Sequence, residues 1–524
     1  VMPRVVIYDT TLRDGSQTEG ISFTVNDKLK IAAKLDNLGV HYIEGGWPGS
    51  NPKDKEFFRL IRHQKLKHAK IAAFGSTRRA GVKASEDVNL NELIKSKTPT
   101  CTIFGKSWDL HVTDIIKTTL EENLAMVHDS VSFLKKKGKE VFYDAEHFFD
   151  GYKRNPDYAL KTVLAAQDAG ADCIVLCDTN GGTLTEEVRD IVAAVREKLT
   201  APMGIHCHND LDLAVANSLA AVEMGCIQVQ GTFNGLGERC GNVDLCTIVG
   251  ILNTKLHRKS IPEDKVKLLT ETSYFLSEVS NFKLPDNHPF VGHSAFAHKG
   301  GVHIDAMLKN PIAYEHVNPQ AVGNRRRFVT SELAGKMPIV LRAKEMNVHL
   351  DKKSPQTQKL LKALQDKEHG GYQFEAADAS FELFMRRHLK QYKPFFTLEG
   401  FKVATEKRFD GKIFAEASIR LKIKDGREEF SASSGDGPVD ALDKALRHAL
   451  EKFYPGIKSM HLSDYKVRVL DTQAGTAAKV RVLIESQDDS NSWTTVGVHE
   501  NIIEASWEAL VDSVEYKLLK DTKK

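Results

Sequence analysis

His206-Cys207-His208 is the pair of residues from which the chemistry of this sequence is best approached. On a β-strand, residues two apart project on the same face, so both imidazoles point the same way. Two imidazoles and one carboxylate make a site for a divalent cation, and Asp14 is the carboxylate within reach if the strands bearing them close into a barrel. Arg13 precedes Asp14 and offers a rigid fork for a carboxylate or an enolate. By itself an Arg-Asp pair is more often a surface salt bridge, and two histidines on a strand are also met as hydrogen-bonded residues of a polar cleft. Glu146 ends a strongly apolar segment and therefore needs a partner or a function. Thr179 follows Asp178 and has a hydroxyl suited to a substrate carboxylate or to a plain loop cap. Asn234-Gly235-Leu236-Gly237-Glu238-Arg239-Cys240-Gly241-Asn242 has three glycines, which permit tight turns and close backbone approach.

The elements that would position these residues repeat one plan. Short apolar runs occur at Val5–Tyr8, Tyr42–Gly45, Ile71–Phe74, Thr100–Phe104, Val141–Asp144, Cys173–Cys177, Met203–Cys207 and Ile227–Gly231. Between them lie segments with apolar residues at helical spacing, such as Leu29, Ile31, Ala32, Leu35 and Leu38. Eight such units predict a (β/α)8 TIM barrel, with the chemistry at the C-terminal ends of its strands. A doubly wound sheet would want a glycine-rich turn after the first strand, and Asp9-Thr10-Thr11-Leu12-Arg13-Asp14-Gly15 is not one.

Residues 1–270 are thus read as a catalytic barrel and 271–396 as a mainly helical linker region, with a polar break at His349–Gln358 and a glycine pair at Gly370-Gly371. The tail, 397–524, is read as an α+β domain with an internal repeat at a shift of 64 positions. Val403 pairs with Val467, Gly411 with Gly475, Ala441 with Ala505, Ala445 with Ala509 and Leu446 with Leu510.

Bulk properties narrow the classes. In 524 residues, 73 basic and 70 acidic side chains leave a formal net charge of +3 and no basic stripe, which argues against a nucleic-acid binder. No apolar run approaches the roughly 20 residues that span a bilayer. Val1-Met2-Pro3-Arg4 runs into a strand-like segment, leaving no room for a signal peptide in what is given. Seven cysteines without C-x-x-C spacing fit a reduced, cytoplasmic interior better than disulfides.

Three separated segments together resemble the 2-isopropylmalate synthase, homocitrate synthase and citramalate synthase family: Asp9–Gly15, His206-Cys207-His208-Asn209-Asp210, and Gly235–Asn242. Within it, Glu44–Asp54, Tyr143–Gly151 and Gly371–Glu375 look like the citramalate branch; Cys240 stands where isopropylmalate synthases commonly carry alanine. The resemblance implies condensation of acetyl-CoA with pyruvate and hydrolysis of the thioester to (R)-citramalate and CoA, feeding isoleucine biosynthesis. A sister 2-isopropylmalate or homocitrate synthase activity, or a lyase acting on a 3-hydroxy-3-methylglutaryl-CoA type substrate, is the alternative. It also implies a divalent metal (Mg, Mn or Zn) on Asp14, His206, His208 and Asn242, with Arg13 and Thr179 holding the 2-oxo acid and Glu146 contacting it. His303, working with Tyr314, would be the base, supplied across a homodimer or higher oligomer. The repeated tail resembles that family's regulatory domain. Isoleucine or leucine is its expected effector, held at the glycine-bearing loops Gly435–Gly437 and around Gly497.

Overall fold

A computed structural model describes residues 4–298, 301–328, 340, 343–344, 348, 350, 354–374, 377–470, 478–489 and 491–522. Gly475, Glu375, His349 and the terminal Val1–Pro3 lie outside the described residues. The chain divides into two compact units: 1–296 with 315–326, and 297–314 with 327–524.

In the first unit eight parallel strands close into a barrel in sequence order. They are β1 (Val6–Asp9), β2 (Tyr42–Glu44), β3 (Lys70–Ser76), β4 (Thr100–Lys106), β5 (Glu140–Glu146), β6 (Cys173–Asp178), β7 (Met203–Cys207) and β8 (Gln228–Gly231). β1 pairs with β8, from Val6 opposite Gln228 to Asp9 opposite Gly231. All eight apolar runs read from the sequence became strands because their β-branched and apolar side chains are covered on both faces.

The helix Val25–Leu38 shows how the outer layer is specified. Thr24 and Asp27 form a capping box at its start. Ile31, Ala32, Leu35 and Leu38 are buried, and Leu29 is partly buried against the same core. It ends on Gly39 at φ 94°, where a Cβ would lie 2.5 Å from Pro262 Cδ, so glycine serves both the backbone turn and the packing. Tyr8, Ala72, Phe142, Cys173, Val175 and Cys177 form a separate buried cluster. In it Tyr8 and Phe142 meet edge-on, with ring centroids 5.9 Å apart.

In the second unit, β9 (Ala297–His298) pairs in parallel with β10 (Arg327–Phe328). Among its described residues the tail forms two three-stranded antiparallel sheets. One is β11 (Phe396–Lys407), β12 (Ile413–Ile423) and β13 (Glu428–Gly435), followed by the helix Pro438–Leu450. The other is β14 (His461–Val469), β15 (Val480–Gln487) and β16 (Ser492–His499), followed by the helix Ile502–Asp521. β13 and β16 are offset by 64 residues at both ends, as are the starts of the two helices, so the sequence repeat is a repeated βββα unit. Ala441, Ala445 and Leu446, like Ala505, Ala509 and Leu510, face one shared core.

Two of the tail glycines are required by packing, while Gly437 has open space where a Cβ would be. A Cβ on Gly435 would lie 2.4 Å from Ala441 N, and one on Gly497 2.0 Å from Ala505 O, so these glycines let strand and helix close together. The start of the helix at Ile502 is capped by Asn501, whose Oδ1 accepts from Ile503 N at 2.8 Å.

Candidate active site

The turn after β1 is built by Asp9, which accepts from Thr11 N at 3.1 Å and Thr11 Oγ1 at 2.7 Å. Thr10 N donates to Gly231 O of the closing strand at 2.7 Å. These bonds place Arg13 and Asp14 over the barrel mouth.

Arg13 is the hub of a buried charge cluster. Its Nη1 and Nη2 donate to Asp14 Oδ1 and Oδ2 at 2.6 and 3.0 Å, and its Nε donates to Glu44 Oε1. The guanidinium carbon sits 3.7 Å from the centre of the Phe74 ring. Burial pushes the Glu44 carboxyl upward, and Arg13 opposes that. Burial also raises Asp14, but Arg13 and then His206 and His208 bring it below the ordinary carboxylate value. Asp144, deeper in the mouth, is raised well above that value by burial and by Glu44.

Four of the expected ligands converge. His206 Nε2 is 3.6 Å from Asp14 Oδ2. Asn242 Nδ2 lies 3.2 Å from Asp14 Oδ2 and 3.1 Å from His206 Nε2. The His206 and His208 rings are 5.3 Å apart at their centroids. The glycine-bearing loop exists to bring Asn242 in: a Cβ on Gly237 would lie 2.2 Å from Asn242 Oδ1, and one on Gly241 2.0 Å from Gly235 O.

The donor set suits a divalent cation on chemical grounds. Asn242 Oδ1 and His208 Nδ1 are buried without a hydrogen-bond partner. Turning the Asn242 amide over would aim its oxygen at Asp14 Oδ2 and His206 Nε2, three lone-pair donors around one point. Burial and His206 lower His208 to about 3, so its imidazole is neutral, as a ligand must be. As arranged here Arg13 takes both Asp14 oxygens, and among the described residues no three His, Cys, Asp or Glu side chains already form a cation cage.

A cavity of about 410 Å³ joins these groups. Arg13, Asp14, Glu146, Thr179, His206 and His208 all line it, together with Asp144 and the aromatic side chains of Trp47, Phe74 and Phe104. Trp47 meets Phe74 and Phe104 edge-on at 5.9 and 5.7 Å, making one aromatic wall beside Arg13. The buried pair Lys28–Asp54 holds that wall: Asp54 Oδ2 accepts from Trp47 N at 2.9 Å, and its Oδ1 accepts from Lys28 Nζ at 2.5 Å. Glu146 is ion-paired with Lys106. Thr179 Oγ1 accepts from His147 N at 2.8 Å, which leaves the hydroxyl hydrogen to donate.

His303 and Tyr314 belong to the second unit, where their rings stack at 4.3 Å. Sequence reasoning gave no role to Asp144, Gln230 or Lys106. Asp144 precedes Glu146 by two on one strand and Gln228 precedes Gln230 by two on another. This is the same i, i+2 signal that singled out His206 and His208. Lys106 had no such signal. Of the seven cysteines, all free, only Cys240 is exposed.

A closed parallel barrel with a polar cavity ringed by its strand ends is a TIM-barrel enzyme. Residues 4–273 match the HMGL-like family, 290–369 the homocitrate synthase post-HMGL domain-like family, and 375–518 the LeuA allosteric (dimerisation) domain. The chain is 56% identical to an (R)-citramalate synthase of Geobacter sulfurreducens and 55% identical to one of Aquifex aeolicus. Each match covers 99% of this chain and 98% of the relative. An (R)-citramalate synthase of Synechocystis sp. is 49% identical over 98% of this chain and 96% of its own. The chain therefore belongs to the HMGL-like family, among the (R)-citramalate synthases.

Proposed function

We propose that this protein condenses acetyl-CoA with pyruvate and hydrolyses the thioester, giving (R)-citramalate and CoA. The observation that carries this reading is the cavity: a guanidinium for a small carboxylate or oxyanion stands beside an aromatic wall of Trp47, Phe74 and Phe104, against which the methyl group of pyruvate would sit.

Asp14, His206, His208 and Asn242 would hold a divalent ion, magnesium, manganese or zinc, which supplies Lewis-acid polarisation of the ketone when bound. Arg13 and the hydroxyl of Thr179 bind the pyruvate carboxylate and orient its ketone carbon. His303 of a second copy of the chain would take a proton from the methyl of acetyl-CoA, with Tyr314 against its ring. The carbon so freed attacks the ketone carbon, and the charge that develops on the ketone oxygen is met by the Arg13 guanidinium. Glu146, ion-paired with Lys106 and lining the same cavity, would contact the 2-oxo acid and orient the water that cleaves the thioester. The alkoxide takes the proton held by His303, and hydrolysis then puts one hydrogen of the water on the CoA thiol and releases the other to bulk as the new carboxylate forms. No cysteine is required as a nucleophile.

The tail would pair two copies of the chain and bind isoleucine or leucine, as its match to an allosteric dimerisation domain suggests. No helix among the described residues is long and apolar enough to cross a membrane, and a cytoplasmic setting fits the seven free thiols.

The deciding experiment follows thiol release from acetyl-CoA with pyruvate, 2-oxoisovalerate and 2-oxoglutarate. The highest kcat/KM is expected with pyruvate. A higher value with either of the others would move the protein to a sister activity.

A further inference from the structure

Gln230 connects two groups that are far apart in sequence. Its Nε2 donates to Asp144 Oδ1 at 3.0 Å and lies 3.4 Å from Gln228 Oε1, while its Oε1 is 2.9 Å from His206 Nδ1. Asp144, His206 and Gln230 are 3%, 5% and 0% exposed, so water does not compete for these bonds. The barrel ladder itself sets His206 of β7 opposite Gln230 of β8.

The amide orientation follows from its neighbours. Its nitrogen faces two acceptors, so its oxygen faces the imidazole. A carbonyl oxygen only accepts, so His206 Nδ1 must carry a hydrogen. The ring's lone pair is then on Nε2, the nitrogen that faces Asn242 and Asp14. A carboxylate at position 230 would also accept from Nδ1, but its second oxygen would face Asp144 Oδ1 where an amide hydrogen now lies, so the two carboxyls would have to share one proton. It would also add negative charge where Asp14, Glu44 and Asp144 already share the single cation of Arg13.

We infer that Gln230, held by Asp144, is a positioning residue: it locks His206 in the Nδ1–H tautomer and aims Nε2 at the point shared with Asp14 and Asn242. The inference rests on the cation-site reading above. Partners of this kind behind metal-binding histidines are worth about 10- to 100-fold in metal affinity or activity.

The test uses full-length protein, stripped with chelator and titrated calorimetrically with Mn(II) in the absence of substrates. Gln230→Met keeps the side-chain volume and removes both hydrogen bonds. It is expected to weaken Mn(II) binding about 10- to 100-fold, and most of the lost kcat is expected to return at saturating Mn(II). The double exchange Asp144→Asn with Gln230→Glu swaps amide and carboxyl while preserving both hydrogen bonds, because the new amide donates to the new carboxylate. It is expected to bind Mn(II) within a few-fold of the parent. Mn(II) affinity of Gln230→Met within twofold of the parent overturns the inference. If Gln230→Met does not fold, Gln230→Glu alone serves in its place, and a double exchange that binds no better than this single variant has the same meaning. Parent protein that binds no Mn(II) removes the cation-site reading itself, and this inference with it.

Discussion

The imidazole of His303 stacks on the phenol ring of Tyr314, with centroids 4.3 Å apart and planes inclined by 26°. His303 lies on the helix Gly301–Lys309, and Tyr314 follows the short 3-10 turn Pro311–Ala313, whose start is capped by Asn310. The turn folds the chain back so that two residues eleven apart share one contact. His303 is exposed and Tyr314 is 45% exposed, so the pair is presented to solvent rather than spent on packing.

His303→Ala is expected to lower kcat by about 100- to 10,000-fold, the range for loss of a general base, while leaving the melting temperature unchanged. Tyr314→Phe keeps the stack and loses the hydroxyl, so a smaller fall separates ring support from hydrogen bonding. Exchange of the acetyl-CoA methyl protons with solvent deuterium is the direct readout. Undiminished exchange in His303→Ala would remove it as the base.

His206→Ala and His208→Ala are each expected to abolish turnover and strip bound metal, with far-UV circular dichroism preserved. Arg13→Lys is the sharper variant, because a point charge cannot serve Asp14 with two hydrogen bonds and Glu44 with a third. A fall in kcat of about 100-fold or more is expected, in line with loss of an oxyanion donor. Full activity in either histidine variant with metal still bound would refute the ligand assignment.

Phe104 forms part of the aromatic wall, and Phe104→Ala should open room for one more methylene. The ratio of kcat/KM for 2-oxobutyrate over pyruvate is expected to rise about 10-fold or more, the usual worth of a methylene in a fitted pocket. An unchanged ratio would mean that the wall does not meet the substrate side chain.

Glu515 gives the second unit a pH dependence. It is 1% exposed, accepts from Phe395 N at 3.1 Å, and burial raises it to about 7. A carboxyl whose folded value lies above its ordinary 4.5 holds its proton more tightly when folded. Its contribution to stability is therefore fully present at low pH and is lost as pH rises from about 4.5 to about 7. Glu515→Gln should melt like the parent at pH 4.5 and above it at pH 8, by a margin on the order of a few kcal/mol. Equal melting at both pH values would show that Glu515 does not titrate in this range.

Isoleucine and leucine, titrated into the full-length protein and into a form ending near residue 396, test the tail. Inhibition by one of them is expected in the full chain and is expected to vanish on truncation, since an effector must favour one state of the protein to change its activity. Neither amino acid binding or inhibiting would leave dimerisation as the tail's role.

What the sequence determined by itself was everything that short-range periodicity encodes. Strand and helix periods differ, so the eight apolar runs from Val5 to Gly231 were legible as a barrel. The 64-residue shift was legible because β13 and β16 repeat one packing problem with the same answer, alanine and leucine on one helix face. Alternation along a strand placed His206 and His208 on a common face. Tertiary structure decided which side chains from different strands meet. Asp144 and His206 are joined through Gln230, Glu146 takes Lys106 as its partner, and Glu44 accepts from Arg13. Parallel neighbours in a barrel are separated by a helix and two loops, and β1 meets β8 across more than two hundred residues. No local pattern records the register between such strands. It is set when the helices pack on the closed sheet, and the polar groups left inside then find their partners because unpaired buried charge is costly.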